Sequence, residues 1–227
     1  MKLQQRSRIK MCGFTREADV LAACAAGADA IGFVLYPPSP RSVSMERAAE
    51  LARLLPPFVT PVLLFVNETT ERIQAACTAV PGALIQFHGD ETAEFCEAMS
   101  QRTGRPHLKA ARIPLSGVAN FDLLEFASFH HQAQALLLDA HVDGYGGGGK
   151  TFNWSLLPTN VNAHLVLSGG LTPANVGDGM RALRACGLSL AVDVSSGIEE
   201  DGPNSKGLKD AHKIQQFVAA VRAAEIP

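Results

Sequence analysis

The chain has 227 residues and a mass of 24.1 kDa. It is 47% hydrophobic and 19% charged, a globular balance with enough material for a full core in one large domain or two small ones. A net charge of −2 and a pI of about 6.4 weigh against a nucleic-acid binder, which would be clearly basic. No apolar run approaches the roughly 20 residues of a membrane span, and no apolar signal core follows the basic start at Met1 to Arg8, so a reducing cytoplasm is the expected location.

Short apolar runs rich in β-branched residues recur along the chain, and each reads as a buried strand: 8–12, 30–35, 61–66, 84–88, 108–112, 135–139, 164–167 and 190–194. Helical spacing fills the stretches between them. Val20, Ala23 and Cys24 lead to a glycine stop at Gly27. Ser44 can cap a helix reaching about Leu54, and Thr69 or Thr70 can cap the next. Only a short helix fits between the sixth and seventh strands, near 153–157. Thr172 followed by Pro173 combines a capping hydroxyl with a first-turn proline. Ile214, Phe217, Val218 and Val221 form the apolar stripe of the last helix. His130 and His131 have no convincing metal partners and read as an exposed helix end.

Strand and helix alternate about eight times, which implies parallel strands with right-handed crossovers. An open doubly wound sheet and a closed (β/α)8 barrel both satisfy that pattern. Spread over eight units, the chain leaves on the order of 28 residues for each, near the roughly 30 of a compact βαβ unit. No linker divides it, and no G-x-G-x-x-G turn follows the first strand. The expected architecture is therefore α/β, a single TIM barrel over residues 1–227 with its barrel core at about 8–224.

A barrel of this kind carries its active site at the C-terminal ends of the strands. The first strand ends in Lys10 and Cys12, the fourth in Gln86 and His88, the sixth in Asp139, and the eighth in Asp193 and Ser195. Alternation gives each pair one facing. If these face inward, a thiol, an imidazole and two carboxylates meet in one ring. The five cysteines are odd in number and lack a Cys-x-x-Cys pair, so neither a disulfide framework nor a thiolate zinc site is expected. Cys24, Cys77, Cys96 and Cys186 read as small buried hydrophobes.

Two segments suit an anion. Ser168, Gly169 and Gly170 follow the seventh strand, and Ser195, Ser196 and Gly197 follow the eighth. Glycines permit close backbone approach, and a phosphate site after these two strands is a recurring barrel arrangement. The glycine-rich stretch 143–151 ends in Gly149, Lys150 and Thr151 and superficially looks like a P-loop, but no regular helix clearly follows it. A mobile loop that covers the substrate is the better reading.

Six segments in order resemble the phosphoribosylanthranilate isomerase family. They are Lys10-Met11-Cys12-Gly13-Phe14-Thr15, the run from Gly32 through Tyr36 to Arg41, and Gln86-Phe87-His88-Gly89-Asp90-Glu91. Leu136 to Asp139 with the later Gly149-Lys150-Thr151-Phe152, then Leu167 to Leu171, then Val192 to Glu199, complete the series. The resemblance implies an Amadori rearrangement in tryptophan biosynthesis, from N-(5-phosphoribosyl)anthranilate to 1-(2-carboxyphenylamino)-1-deoxyribulose 5-phosphate. It implies no metal and no organic cofactor, a phosphosugar as the partner molecule, no membrane, and a monomer or weak homodimer.

The same resemblance makes Asp139 the general acid and Cys12 the general base. Such an acid must carry its proton near neutrality, which burial or a nearby anion favours. Such a base must act as a thiolate, and Lys10, if it faces the same way, would favour that form. Arg41, in a loop stiffened by prolines, suits bidentate binding of the anthranilate carboxylate. Asp193 suits ribose hydroxyls or a structural place bonded to the loop backbone, and His88 could contact substrate or orient a neighbour. Other phosphosugar barrels would place a carboxylate or lysine on the first strand. A barrel that only binds phosphate would need the two cradles but not Cys12 and Asp139 together.

Overall fold

Eight parallel strands close on themselves in the computed structural model, which describes residues 6–115, 121–141 and 151–225. In chain order they are β1 (Arg8–Cys12), β2 (Ala30–Val34), β3 (Thr60–Phe65), β4 (Leu84–Phe87), β5 (His107–Pro114), β6 (Ala135–His141), β7 (His164–Leu167) and β8 (Ser189–Val194). Each strand pairs with its sequence neighbours, and β1 pairs with β8 through Arg8↔Ala191, Ile9↔Val192, Lys10↔Asp193 and Met11↔Val194. That seam decides the choice of architecture: an open sheet would leave β1 and β8 unjoined.

The helices are α1 (Glu17–Ala26), α2 (Met45–Ala52), α3 (Thr70–Ala79), α4 (Ala93–Thr103), α5 (Leu123–Phe129), α6 (Val176–Leu183) and α7 (Ala211–Glu225). Between β6 and β7 the described residues hold one 3-10 turn, Trp154–Leu156, where the short helix is expected. Ser44 and Thr69 cap α2 and α3 by accepting the N–H of Arg47 and Arg72, and Gly27 ends α1 in a left-handed conformation.

Period-two alternation sorts the strand residues into two cores. One face of each strand packs on the helices in a large cluster that includes Ile9, Phe33, Phe65, Phe87, Leu167 and Phe217. The other face lines the barrel, where Val62, Leu108, Ala110, Ala135, Leu137 and Val166 form a separate small cluster. Lys10, Cys12, Gln86, His88, Asp139 and Asp193 are also buried. The apolar interior therefore gives way to polar groups toward the strand ends, as a barrel with chemistry at one mouth requires.

Two local expectations are corrected. Thr172 does not cap α6, whose helix begins only after Asn175. Asn175 accepts the N–H of Thr172 at 2.8 Å and donates to Gly170 O at 3.0 Å, so its amide closes a turn that delays the helix. His130 is buried rather than exposed, with its ring 4.5 Å from that of Phe126; His131 is exposed. The covering loop expected at 143–151 lies, apart from the exposed Thr151, outside the described residues. Among the described residues no helix is long and apolar enough to cross a membrane.

Candidate active site

A cleft of about 260 Å³ opens at the C-terminal mouth of the barrel. Cys12, Arg41, Asp139, Gly169, Gly170, Asp193, Ser195 and Ser196 all line it. Of the site residues expected from sequence, Gly197 alone is not on its wall. Gly197 instead packs against the preceding loop, where an added Cβ would stand 1.9 Å from Leu171 O. The segments after β7 and β8 thus touch and form one surface. Gly169 and Gly170 are both left-handed, at φ 78° and 63°. Among the described residues, no hydrogen bond uses the N–H of Gly169, Gly170, Ser196 or Gly197. Successive free donors of this kind make an anion-binding concavity.

Cys12 ends β1 and is buried beside Gly32 of β2, its register partner. A Cβ on Gly32 would lie 2.6 Å from the Cys12 sulfur, so the missing side chain is what leaves room for the thiol. Burial pushes the Cys12 thiol up; the nearby Lys10 charge pulls against it, Asp193 adds to the rise, and Lys209 opposes it. Lys10 therefore acts in the expected direction but does not outweigh desolvation. Lys10 itself donates to Asp193 Oδ1 at 2.8 Å, across the β1–β8 seam. Burial alone would neutralise this amine, but Asp193, and Cys12 when ionised, favour its charge, and its pKa is raised. Asp193 also accepts from Ser168 Oγ at 3.4 Å. The carboxylate expected to meet ribose hydroxyls thus already has an internal cation as partner.

Asp139, on β6, takes the Ala140 N–H on Oδ1 at 3.0 Å and has His88 Nε2 3.0 Å from Oδ2. Gly169 presses on it from β7: a Cβ there would sit 2.9 Å from Asp139 Oδ1. Arg41 reaches the cleft from the loop after β2, but its fork is occupied. Nε and one terminal nitrogen bind Glu199 at 2.7 and 2.8 Å, and both residues are buried. Glu199 also accepts from the Gly207 N–H at 3.0 Å and from Lys209 Nζ at 3.1 Å. Burial alone would raise the Glu199 carboxyl, but Arg41 and Lys209 hold it below its ordinary range. Lys209 extends this network to Ser195 O at 3.0 Å, and Ser195 Oγ donates to Cys12 O at 3.0 Å. A chain of charged and polar groups therefore joins Arg41, the loop after β8 and the strand that carries Cys12.

Glu199 and Lys209 were not singled out as site residues in the sequence. Glu199 sits inside the motif from Val192, yet its role depends on a residue 158 positions away. Val34, Tyr36 and Leu64 give one wall of the cleft an apolar lining. Among the described residues no three His, Cys, Asp or Glu side chains converge as a metal site would require.

Comparison with known proteins identifies the family. A family model described as N-(5'-phosphoribosyl)anthranilate (PRA) isomerase matches residues 9–220. The N-(5'-phosphoribosyl)anthranilate isomerase of Leptothrix cholodnii is 57% identical over 220 residues, covering 97% of this chain and 93% of its own. That of Methylibium petroleiphilum is 56% identical, with 97% and 96% covered. Among solved structures, phosphoribosyl anthranilate isomerase from Thermotoga maritima superposes with a TM-score of 0.81 at 37% identity, covering 96% of this chain and 99% of that one. A phosphoribosyl anthranilate isomerase in complex with reduced 1-(o-carboxyphenylamino)-1-deoxyribulose 5-phosphate superposes with a TM-score of 0.77 at 35% identity, covering 96% and 99%. With its closed barrel, its Cys12–Asp139 cleft and these full-length matches, the chain belongs to the N-(5'-phosphoribosyl)anthranilate isomerase family.

Proposed function

We infer that Asp139 and Cys12 carry out the proton transfers of an Amadori rearrangement of N-(5-phosphoribosyl)anthranilate, in the service of tryptophan biosynthesis. The observation that carries this reading is their common cleft: an acid from β6 and a thiol from β1 face the same space, beside the glycine-rich turn after β7 and the serines after β8. Asp139 gives its proton to the furanose ring oxygen. The C1–O bond breaks, and the anilino nitrogen lone pair forms the C1=N iminium. Cys12, as thiolate, then takes the proton from C2. Its electron pair forms C1=C2, the iminium pair returns to nitrogen, and the enolamine becomes the ketone by losing the C2 hydroxyl proton and gaining one at C1.

The rest of the cleft positions this substrate. The backbone donors of Gly169, Gly170, Ser196 and Gly197 suit the 5'-phosphate. Val34, Tyr36 and Leu64 suit the aromatic ring. Glu199 holds Arg41 by two nitrogens, which leaves the second terminal nitrogen to meet the anthranilate carboxylate. Asp193 serves the ribose hydroxyls while it also keeps Lys10 charged beside Cys12. Loss of anthranilate fluorescence on mixing with fresh substrate follows the reaction. Cys12→Ser and Asp139→Asn should each lower kcat by roughly 10²–10⁴-fold or more. Near-normal turnover in either variant overturns its assignment.

A further inference from the structure

His88 has no step of its own in that chemistry, yet it holds one oxygen of the acid. Its Nε2 lies 3.0 Å from Asp139 Oδ2, and its Nδ1 lies 2.9 Å from Gln86 Nε2. Gln86 is fully buried, His88 nearly so, and both line the cleft. An amide nitrogen only donates, so the Nδ1 opposite Gln86 must accept. A neutral imidazole then carries its proton on Nε2 and donates it to Asp139. With the Ala140 N–H on Oδ1, each carboxyl oxygen faces a fixed N–H donor. Such a pair suits the ionised carboxylate, the state left once the acid has given its proton away. Fixed donors aimed at charge that develops during reaction stabilise it without reorganisation.

The orientation of Gln86 has a cost. Its Oε1 is buried and has no hydrogen-bond partner among the described residues. With a neutral imidazole, turning the amide would satisfy Oε1 on an Nδ1–H but would make His88 Nε2 an acceptor and remove the donor from Asp139. The arrangement gives up one amide contact and keeps the imidazole proton on the side of the acid.

We propose that Gln86 and His88 are positioning residues of this reaction: Gln86 selects the Nε2–H form of His88, and His88 supports the Asp139 carboxylate as it forms. The inference rests on the reading of Asp139 as the acid. Nitrogen-15 spectra of the imidazoles in the whole protein test the pair without turnover. The wild type should show the His88 proton on Nε2 and none on Nδ1, and Gln86→Glu, which offers Nδ1 an acceptor, should move a proton to Nδ1. A wild-type His88 protonated on Nδ1 overturns the proposal, as does a Gln86→Glu spectrum without change.

Kinetics supplies the second test. His88→Asn removes the donor and should lower kcat roughly 10- to 100-fold, the worth of one hydrogen bond to a charged group, with KM within about threefold. His88→Gln, whose amide nitrogen can reach the Nε2 position, should recover part of the loss. Unchanged kcat in His88→Asn, or an equal loss in both variants, contradicts the positioning role. If Asp139→Asn proves active, the acid assignment fails by itself, and the spectra still decide whether Gln86 sets the tautomer.

Discussion

At the scale of single residues, Cys12 faces two opposed influences. Burial favours its neutral thiol, while Lys10 and Lys209 favour the thiolate that a base requires. The Lys10 charge is itself secured by Asp193 across the barrel seam. Replacing Lys10 with Met removes the nearer cation and strips Asp193 of its partner, and both changes raise the thiol further. Alkylation of Cys12 followed against pH, with Cys12→Ser as the blank for the other thiols, should therefore show its midpoint move upward by on the order of one pH unit in Lys10→Met. A midpoint that stays in place contradicts the role of Lys10. This much was legible in the sequence, because alternation puts Lys10 and Cys12 on one face and the strand end puts that face at the mouth. The occupied fork of Arg41 was not legible, since nothing local to Arg41 announces that Glu199 and Lys209, more than 150 positions later, converge on it.

At the scale of elements, local signals located helices well where they acted within one turn. Ser44 and Thr69 each accept an N–H three residues on, and those helices begin where the capping residues stand. Thr172 and Pro173 carry the same signal, but the Asn175 side chain bridges Thr172 and Gly170 and holds the segment in a turn. That turn fixes the glycines on the cleft, so the later helix start serves the site. The end of α5 shows another limit: His130 reads as polar and terminal but packs under Phe126. Burial, helped by the nearby Lys109 charge, lowers its pKa to about 4. The folded value thus lies below the ordinary 6.5 of the unfolded chain. The unfolded state then binds the proton more readily, so stability from this group is full above about pH 6.5 and is lost as pH falls toward about 4. Urea unfolding at pH 7 and pH 4.5 should show His130→Leu losing less stability between the two than the wild type, by up to a few kcal/mol. An equal loss in both proteins contradicts a neutral buried His130.

At the scale of the whole molecule, closure of the sheet brings the chemistry together. The β1–β8 seam sets Lys10 against Asp193, and the circular order of strands puts Cys12 and Asp139 on one cleft although 127 positions separate them in the numbering of the chain. Chain length divided by eight strands made a small barrel the economical reading, and the strand periodicity then put Cys12, His88 and Asp193 on the face that lines the cleft. What periodicity could not place were contacts between loops, such as Gly197 against Leu171, which depend on the path of the chain after it leaves the sheet. The barrel's apolar interior supports a polar mouth, and the proposed reaction uses that division: protons move at the strand ends while the strands below stay fixed. The central claim is that the thiol at this mouth breaks the C2–H bond of the substrate. It is tested most directly in a single turnover with enzyme in excess, comparing substrate that carries hydrogen or deuterium at ribose C2 in the Cys12→Ser variant, where proton abstraction is made slow. Anthranilate fluorescence should decay several-fold more slowly with the deuterated substrate, the usual mark of a C–H bond broken in the slow step; identical decays would contradict the account.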